Sequence, residues 1–331
     1  MTDPARTVRW GILGPGRISV RVVRATAASE RSALVAVASR DLARAEAYAS
    51  EHGIPTAYGS YDELLASPDV DAVYIAVPNH RHAELAVQAL EAGKHVLCEK
   101  PLAMSVAEVD AIIAASERTG RIAAEAFMAL HHPQIRRAVE LAQGGDLGDL
   151  QVVIGTFSFL LDYPDDPRVD PDKGGGSLWD VGCYPVNITR RIAGEDPDRV
   201  TAFARFDERG VDRTFIGQLH FPNGLLAQFD SGFAAADRER LEVVGSAGRL
   251  VLDSPFLAEP DGPPAGLTLW RGTTAEHLDV EQVDQVRLEV DDLVSAILDG
   301  TPTHLPLAFS RGGIATLVEL DRAARANAEV G

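Results

Sequence analysis

Residues 8–19 read VRWGILGPGRIS and join a short, largely apolar segment to a glycine-rich turn and the start of a helix. Val8–Leu13 is typical of a strand buried in a parallel sheet. Gly14 and Gly16 occupy the first two glycine positions of a G-x-G-x-x-G turn, where a side chain would block the approach of a pyrophosphate, and Ser19 stands at the third. The free N–H groups at the start of the next helix favour a phosphate. This stretch predicts a dinucleotide-binding βαβ unit.

The alternation of strands and helices continues through the first third of the chain. The predicted strands are short and apolar, and the predicted helices have apolar residues at helical spacing. Elements that alternate in this way form a parallel sheet with helices on both faces. After the first strand, further strands are predicted at 33–38, 72–77, 95–98 and 122–126, and helices at 42–52, 81–92 and 106–119.

After about residue 127 the pattern changes to a long strand, a few helices and a run of strands separated by turn signals. The predicted fold is α/β, with a doubly wound parallel sheet in a dinucleotide-binding domain at 1–126. An α+β domain with a large open, mainly antiparallel sheet is predicted at 127–331. The last predicted helix, 311–326, is a candidate to pack back on the first domain. The other predicted elements are helices at 134–143, 176–193 and 284–298 and strands at 150–161, 199–206, 213–221, 224–233, 238–245 and 248–252.

Composition and charge exclude several classes of protein. Of the 331 residues, 46% are hydrophobic, which excludes a disordered chain and allows cores for two domains. The net charge of −18 argues against a nucleic-acid-binding surface. No apolar run is long enough for a membrane span or a signal peptide, so we expect a cytoplasmic protein. Cys98 and Cys183 lie in apolar runs and are expected to be buried, reduced thiols, and no metal site is predicted.

The second strand ends at Ser39-Arg40, and this pair indicates which dinucleotide binds. An NAD site would place Asp or Glu here, roughly 20 residues beyond the glycines, to hold the ribose 2′-hydroxyl. A guanidinium and a hydroxyl instead suit a 2′-phosphate, so NADP(H) is predicted over NAD(H). Asp41 would weaken this preference unless it caps the following helix. Arg44 is either a second phosphate-facing charge or a solvated surface arginine.

Glu99-Lys100-Pro101 follows the strand predicted at 95–98 and brings the sequence close to one family. Together with the glycine turn, the segment 77–82 (VPNHRH) and the segment 174–185 (GGGSLWDVGCYP), it resembles the glucose-fructose oxidoreductase / inositol dehydrogenase / MocA family. The resemblance spans nearly the whole chain. It implies a Rossmann domain followed by a domain whose open sheet forms a homodimer or homotetramer, and a cis bond is expected between Lys100 and Pro101.

The resemblance also implies the chemistry. Lys100 corresponds to the family's catalytic lysine, and where many relatives carry Asp-x-x-x-His this chain has Asp180-x-x-x-Tyr184. Positions four residues apart share one face of a helix. A tyrosine, with a pKa of about 10, acts as an acid–base at neutral pH only where a cation favours its phenolate, which is a role for Lys100. The pair is predicted to exchange the substrate proton while a hydride moves to or from nicotinamide C4.

The matching positions imply further site residues, each with a simpler alternative. Asn79 alone would be a helix cap and His82 a surface residue. Arg168 would suit a loop surface, Trp179 the core and Asp180 a structural place in its helix. The predicted cofactor-binding residues are Gly14, Gly16, Arg17, Ile18, Ser39, Arg40, Arg44, Val77, Pro78, Asn79, His82, Glu99, Lys100, Arg168 and Trp179. The predicted substrate residues are Lys100, Phe127, His131, Asp180 and Tyr184.

Three functions fit these features. The first is an NADP(H)-dependent oxidoreductase of a pyranose sugar or related cyclic polyol, working as an aldose dehydrogenase or a ketosugar reductase. The second is a non-catalytic dinucleotide-sensing regulator, against which the presence of both Lys100 and Tyr184 argues. The third is an enzyme that retains NAD(P) for a transient oxidation. Neither a nucleic acid nor a membrane is expected as a partner.

Overall fold

The computed structural model describes residues 7–163, 165–258, 262 and 264–328, and these divide into two units. The first contains the described residues up to Met128 together with Val286–Arg311, and the second contains Ala129–Gln285 together with the described residues from Gly312 onward. The predicted boundary therefore differs for residues 286–311, which lie with the first unit. Side chains hold this returning segment there, since Ser29 donates to Asp291 at 2.6 Å and Arg31 pairs with Asp299 at 2.8 Å.

The first unit contains a six-stranded parallel sheet, which confirms the predicted doubly wound architecture. In space its strands follow the order β3-β2-β1-β4-β5-β6. The first three strands are therefore added toward one edge of the sheet and the last three toward the other, and the switch point lies between β1 and β4. β3 was not predicted, because three residues show no periodicity. The strands are β1 (Val8–Leu13), β2 (Ser32–Ala38), β3 (Thr56–Tyr58), β4 (Ala72–Ile75), β5 (His95–Glu99) and β6 (Ala123–Ala126).

Helices connect these strands, and capping residues set their ends. The hydroxyl of Ser105 accepts the Glu108 amide at the start of α5, and Gly120 ends that helix with a φ of 65°. The helices in the connections are α1 (Ser19–Ala28), α2 (Leu42–His52), α3 (Tyr61–Ala66), α4 (His82–Glu91) and α5 (Val106–Thr119).

The second unit contains an eight-stranded sheet, in which only the pairing of β7 with β10 is parallel, as the prediction of a mainly antiparallel sheet requires. The order is β14-β13-β12-β11-β7-β10-β9-β8. β13 and β14 were not predicted, and β14 at the sheet edge has no buried residue. The strands are β7 (Leu150–Leu160), β8 (Arg199–Phe206), β9 (Asp212–His220), β10 (Leu226–Gly232), β11 (Ala234–Gly245), β12 (Arg249–Asp253), β13 (Gly266–Arg271) and β14 (Thr274–Leu278).

Helices cover one face of this second sheet. A Cβ on Gly155 of β7 would lie 2.6 Å from Pro185, and one on Gly217 of β9 would lie 3.1 Å from Leu320, so both helices pack closely on strand backbone. A π-helical turn, Leu178–Gly182, precedes the helix that carries Pro185. The remaining helices are α6 (Met128–His131), α7 (Pro133–Gln143), α8 (Cys183–Ala193), α9 (Gln285–Asp299) and α10 (Leu307–Ala328).

The opposite face of the second sheet exposes apolar side chains. Phe203 of β8 is 66% exposed and lies opposite Ile216 of β9, which is 52% exposed. Leu226 at the start of β10 is 51% exposed. A face of this kind marks an interaction surface more often than a solvated one.

Three further observations concern the cysteines, membrane spans and metal ligands. Cys98 and Cys183 are free and buried, as predicted. Among the described residues, no helix combines the length and the apolar character needed to cross a bilayer. In the same part of the chain, no group of three or more His, Cys, Asp or Glu side chains could hold a metal ion.

Candidate active site

The glycine turn after β1 has the geometry that a pyrophosphate requires. Gly14 has a φ of +95°, and a Cβ there would lie 2.5 Å from the carbonyl oxygen of Ala76, so only glycine fits. Ser19 closes the turn, since its Oγ accepts the Gly16 amide at 2.8 Å and lies 3.1 Å from the Gly14 carbonyl oxygen. Beside Gly16 a Cβ would meet only Ser19 Oγ, at 4.0 Å, which leaves room for a ligand. The turn therefore fits a dinucleotide.

The residues after β2 lie beside this turn. The Ser39 hydroxyl accepts the Asp41 amide at 3.3 Å, and Arg40 is exposed. The Asp41 carboxylate accepts the Ala43 amide at 3.0 Å and caps α2. Arg44 donates to the Pro15 carbonyl at 2.6 Å, so it is tied to the glycine turn and is not a freely solvated arginine. Asp41 thus caps a helix. This is the case in which, from the sequence, Asp41 does not weaken the preference for a 2′-phosphate.

The loop after β4 is held by a buried histidine. Asn79 begins a short 3-10 turn, Asn79–Arg81, and does not cap α4. His82 is buried, with Nδ1 2.7 Å from the Pro101 carbonyl oxygen and Nε2 2.8 Å from the Val77 carbonyl oxygen. Burial lowers the pKa of His82, and Lys100 lowers it further. His82 is therefore not a surface residue, and its ring nitrogens both contact the protein backbone.

Lys100 follows the end of β5 in a polar environment. The peptide bond between Lys100 and Pro101 is cis, as expected. The Glu99 carboxylate accepts from the Tyr74 hydroxyl and from the Lys100 amide, the latter at 3.2 Å. Burial raises the pKa of Glu99, and the Lys100 ammonium opposes that shift. On the neighbouring strand, the buried Glu125 accepts the Leu102 amide at 2.9 Å, so carboxylates fix the backbone on both sides of Pro101.

In the second unit, a buried aspartate anchors the π-helical turn. Asp212 Oδ2 accepts the Ser177 hydroxyl at 2.6 Å and the Leu178 amide at 2.8 Å, and Ser177 Oγ lies 3.1 Å from Ser231 Oγ. Burial raises the pKa of Asp212 to about 6. Gly176 allows this contact, since a Cβ there would lie 2.2 Å from Asp212 Oδ1. Asp212 therefore fixes where the turn begins.

The predicted substrate residues Asp180 and Tyr184 follow this anchor. Asp180 lies in the π-helical turn and Tyr184 in the first turn of α8, so the two are not on one continuous α-helix. The buried Tyr184 ring packs against Phe157 and Phe256, with centroids 5.5 and 5.7 Å away. π-Helical turns occur often at functional sites. These aromatic contacts fix the orientation of the ring, and the hydroxyl is the part of the side chain that could exchange a proton.

Arg168 lies between two carboxylates of the same unit. Its Nε and Nη2 donate to Asp166, each at 2.9 Å, and its Nη1 lies 3.7 Å from Asp180. The guanidinium also lies 5.4 Å from the centre of the Phe159 ring. These contacts raise the pKa of Arg168, with the Asp166 hydrogen bond as the largest cause. Arg168 therefore places a positive charge beside the Asp180 carboxylate. It is held by these contacts and is not a freely solvated loop residue.

The remaining predicted residues have varied surroundings. Phe127 and His131 are buried, and Trp179 is buried beside Gly176. His132, next to His131, caps α7 by accepting the Gln134 amide at Nδ1, 3.2 Å away. Arg17 is exposed and Ile18 half-buried just before α1. Tyr74, Asp212 and Glu125 were not predicted, because each acts through a contact with a residue distant in sequence.

The glycine turn on a doubly wound sheet defines a dinucleotide-binding domain, and the comparisons with known proteins specify its family. The family profile described as "Oxidoreductase family, NAD-binding Rossmann fold", GFO_IDH_MocA, matches residues 8–127, and the GFO/IDH/MocA C-terminal domain matches residues 135–251. The chain belongs to the Gfo/Idh/MocA family of oxidoreductases. This confirms the resemblance read from the sequence.

Several relatives have names that bear on function. A D-xylose 1-dehydrogenase (NADP(+)) of Haloferax volcanii is 42% identical over 295 residues, 88% of this chain and 89% of that protein. An uncharacterized oxidoreductase, ORF334, of Rhizobium meliloti is 38% identical over 324 residues, 96% of this chain and 97% of that protein. A trans-1,2-dihydrobenzene-1,2-diol dehydrogenase of Xenopus laevis is 36% identical over 255 residues, 76% of this chain and 77% of that protein.

Two solved structures share the fold over nearly the whole chain. The aldose-aldose oxidoreductase from Caulobacter crescentus, complexed with glycerol, has a TM-score of 0.90 at 29% identity and covers 97% of this chain and 98% of its own. KijD10, a 3-ketoreductase from Actinomadura kijaniata in complex with NADP and TDP-benzene, also has a TM-score of 0.90 at 29% identity. That match covers 96% of this chain and 98% of its own.

Proposed function

We propose that this protein is an NADP(H)-dependent oxidoreductase that moves a hydride between nicotinamide C4 and a carbon of a pyranose sugar or related cyclic polyol. The relative named D-xylose 1-dehydrogenase (NADP(+)), 42% identical, is the observation that carries the proposal. The structure supports the choice of cofactor, because the Asp41 carboxylate caps α2 and Ser39 and Arg40 remain for a 2′-phosphate. The glycine turn at Gly14 would hold the pyrophosphate.

We propose Tyr184 and Lys100 as the catalytic residues. In the oxidative direction, the Tyr184 phenolate takes the proton of the substrate hydroxyl while the C–H bond releases its hydride. In the reductive direction, the phenol returns that proton to the carbonyl oxygen. The bound nicotinamide supplies or accepts the hydride. In this proposal the Lys100 ammonium orients the substrate oxygen and supplies the positive charge that a tyrosine needs if it is to act near neutral pH.

The other predicted substrate residues have supporting roles in this proposal. Asp180, with Arg168 Nη1 3.7 Å away, offers a carboxylate that can accept hydrogen bonds from sugar hydroxyls. Phe127 and His131 are proposed as further substrate residues. The Glu99 carboxylate, bound to Tyr74 and to the Lys100 amide, holds the backbone of the catalytic lysine in place.

The experiment follows nicotinamide absorbance over a panel of aldoses, cyclic diols and ketosugars, with NADP(H) and NAD(H) in parallel. We expect turnover of a sugar with NADP(H), and its loss in Tyr184→Phe while NADPH still binds. Tyr163→Phe is the matched control, because Tyr163 is largely exposed. Tight cofactor binding without turnover of any substrate would instead support the sensing regulator or the enzyme with a retained cofactor. Full activity of Tyr184→Phe would refute the assigned acid–base.

We also propose that the partner of this chain is a second copy, bound through the exposed face of the second sheet. Phe203 and Ile216 lie opposite each other there, and Leu226 extends the apolar area. Analytical ultracentrifugation should show a dimer or tetramer, and Phe203→Asp should dissociate it. Leu42→Asp, at an exposed apolar residue of α2, should leave the assembly intact. A monomeric wild-type protein would contradict the proposal.

A further inference from the structure

A cavity of about 340 Å³ lies at the amino-terminal edge of the parallel sheet, in the first unit. Thr7–Arg9 line it at the start of β1, Asp71 just before β4, and His95 at the start of β5. Ile297 and Leu298 of α9 close one side. The glycine turn and Lys100 lie at the opposite, carboxyl-terminal ends of these strands, roughly 16 Å away along the five residues of β5 at about 3.3 Å each. The cavity is therefore separate from the dinucleotide turn.

Cationic and N–H donor groups dominate the polar wall of this cavity. Arg9, Lys94, His95 and Arg121 line it, against one carboxylate, Asp71. Asp71 is already used by Arg9, which donates to it at 2.8 Å. Lys94 Nζ donates to the carbonyls of Ser67 and Val70, at 2.6 and 2.8 Å, which uses two of its three N–H groups.

The contacts of His95 show where the polar wall of the cavity needs a hydrogen-bond acceptor. Its Nδ1 accepts the Ile122 amide at 3.0 Å, so the neutral ring must carry its hydrogen on Nε2. Arg121 Nη1, which can only donate, lies 3.3 Å from that Nε2. Two donors therefore face each other on a residue that is only 8% exposed. Burial lowers the pKa of His95 to about 4, which keeps the ring neutral.

We propose that this cavity is a second ligand site, which binds a small oxyanion between His95 Nε2 and the Arg121 guanidinium. One carboxylate or phosphate oxygen would accept from both groups, and Lys94 would add a nearby positive charge. Among the described residues, Arg121 pairs with no carboxylate, so its charge is available to a ligand. The volume suits a compact anion such as a phosphate or a short dicarboxylate. The site is independent of the proposed sugar chemistry.

Thermal unfolding of the full-length protein tests this site with inorganic phosphate and with malonate, each compared with NaCl at equal ionic strength. We expect a saturable rise in Tm with at least one of the two anions, beyond the effect of NaCl. The anion that gives the larger rise distinguishes a phosphate site from a carboxylate site. Measurements in saturating NADP+ keep the glycine turn from binding the probe.

Arg121→Gln should weaken the apparent Kd about tenfold or more, because a charged hydrogen-bond partner is lost. Arg118→Gln is the matched control, since Arg118 is an exposed arginine three residues away that pairs with Glu91. His95→Asn keeps an acceptor for the Ile122 amide, removes the Nε2 donor and should also weaken binding. Equal effects of phosphate, malonate and NaCl would overturn the proposal, and so would wild-type affinity in Arg121→Gln.

Discussion

The ring of His82 joins two loops of the dinucleotide-binding unit, because its Nδ1 lies 2.7 Å from the Pro101 carbonyl oxygen and its Nε2 lies 2.8 Å from the Val77 carbonyl oxygen. A carbonyl oxygen only accepts, so both contacts favour a ring that carries two hydrogens. Burial opposes the charged ring and lowers the pKa of His82. Pro101, which follows the proposed catalytic residue Lys100, is thus held by a side chain 19 residues earlier in the sequence, 101 − 82 = 19.

Replacement of His82 should loosen the turn that carries Lys100. His82→Leu removes both contacts to carbonyl oxygens, and we expect a loss of about 1–3 kcal/mol in the free energy of unfolding together with a lower kcat. Urea unfolding and steady-state kinetics measure these effects. His80→Leu, at an exposed histidine two residues away, should change neither quantity appreciably. If His82→Leu were as stable and active as His80→Leu, the positioning role would be excluded.

The choice between NADP(H) and NAD(H) should depend on Arg40 and not on Asp41. Arg40→Ala is expected to weaken NADPH binding about tenfold or more and to leave NADH binding unchanged, because the proposed partner of the guanidinium is the 2′-phosphate, which NADH lacks. Asp41→Ala removes the cap of α2 and should cost about 1 kcal/mol of stability without a change in cofactor preference. Fluorescence titration with both cofactors measures this. Unchanged NADPH affinity in Arg40→Ala would contradict this prediction.

The Asp212 carboxyl should make stability depend on pH. Its pKa is raised to about 6 from 3.8, so the stability it contributes is fully present below about pH 3.8 and is lost as the pH rises through 6. Asp212→Asn keeps an acceptor for the Leu178 amide and does not titrate. Its free energy of unfolding should therefore gain about 1–3 kcal/mol over the wild type between pH 4 and pH 7. If the free energies of unfolding of the two proteins changed equally between pH 4 and pH 7, this role of the Asp212 carboxyl would be excluded.

Loss of the Asp212 anchor should also affect catalysis. Asp212→Ala leaves the Leu178 amide without its buried acceptor, and the π-helical turn then begins without a fixed point. We expect kcat to fall in this variant and Asp212→Asn to restore most of it. Steady-state kinetics at saturating substrate separates this effect from a change in KM. Comparable kcat values in Asp212→Ala and the wild type would show that the anchor serves stability alone.

His132 should contribute to instability in acid. Burial lowers its pKa to about 4, below the 6.5 of an ordinary histidine, so its contribution to stability is present above pH 6.5 and is lost as the pH falls towards 4. His132→Asn keeps a capping acceptor for the Gln134 amide and removes the titration. Between pH 7 and pH 5 the variant should lose about 1 kcal/mol less than the wild type, after allowance for solvent screening. His80→Asn, at an exposed position, should follow the wild-type profile.

Much of the fold could be predicted because its signals are local. Each of these signals depends on a few consecutive residues, whose backbone preferences follow from the residue type. Examples are the apolar runs of β1 and β5, the spacing of Gly14 and Gly16, and the Ser105 cap. The alternation of strands and helices then requires a parallel sheet. Short edge strands carry no such signal, so β3 and β14 emerged only from their pairing partners.

The sequence by itself determined the parallel and antiparallel sheets, the glycine turn, the buried thiols and the family to which the chain belongs. Only the tertiary structure decided that residues 286–311 return to the first unit, that Asp212 anchors the turn before Tyr184, and that His95 and Arg121 present two donors to one cavity. The physical reason is distance along the chain. A hydrogen bond or salt bridge between residues tens or hundreds of positions apart leaves no periodicity in the sequence, and it forms only when folding brings the two partners together.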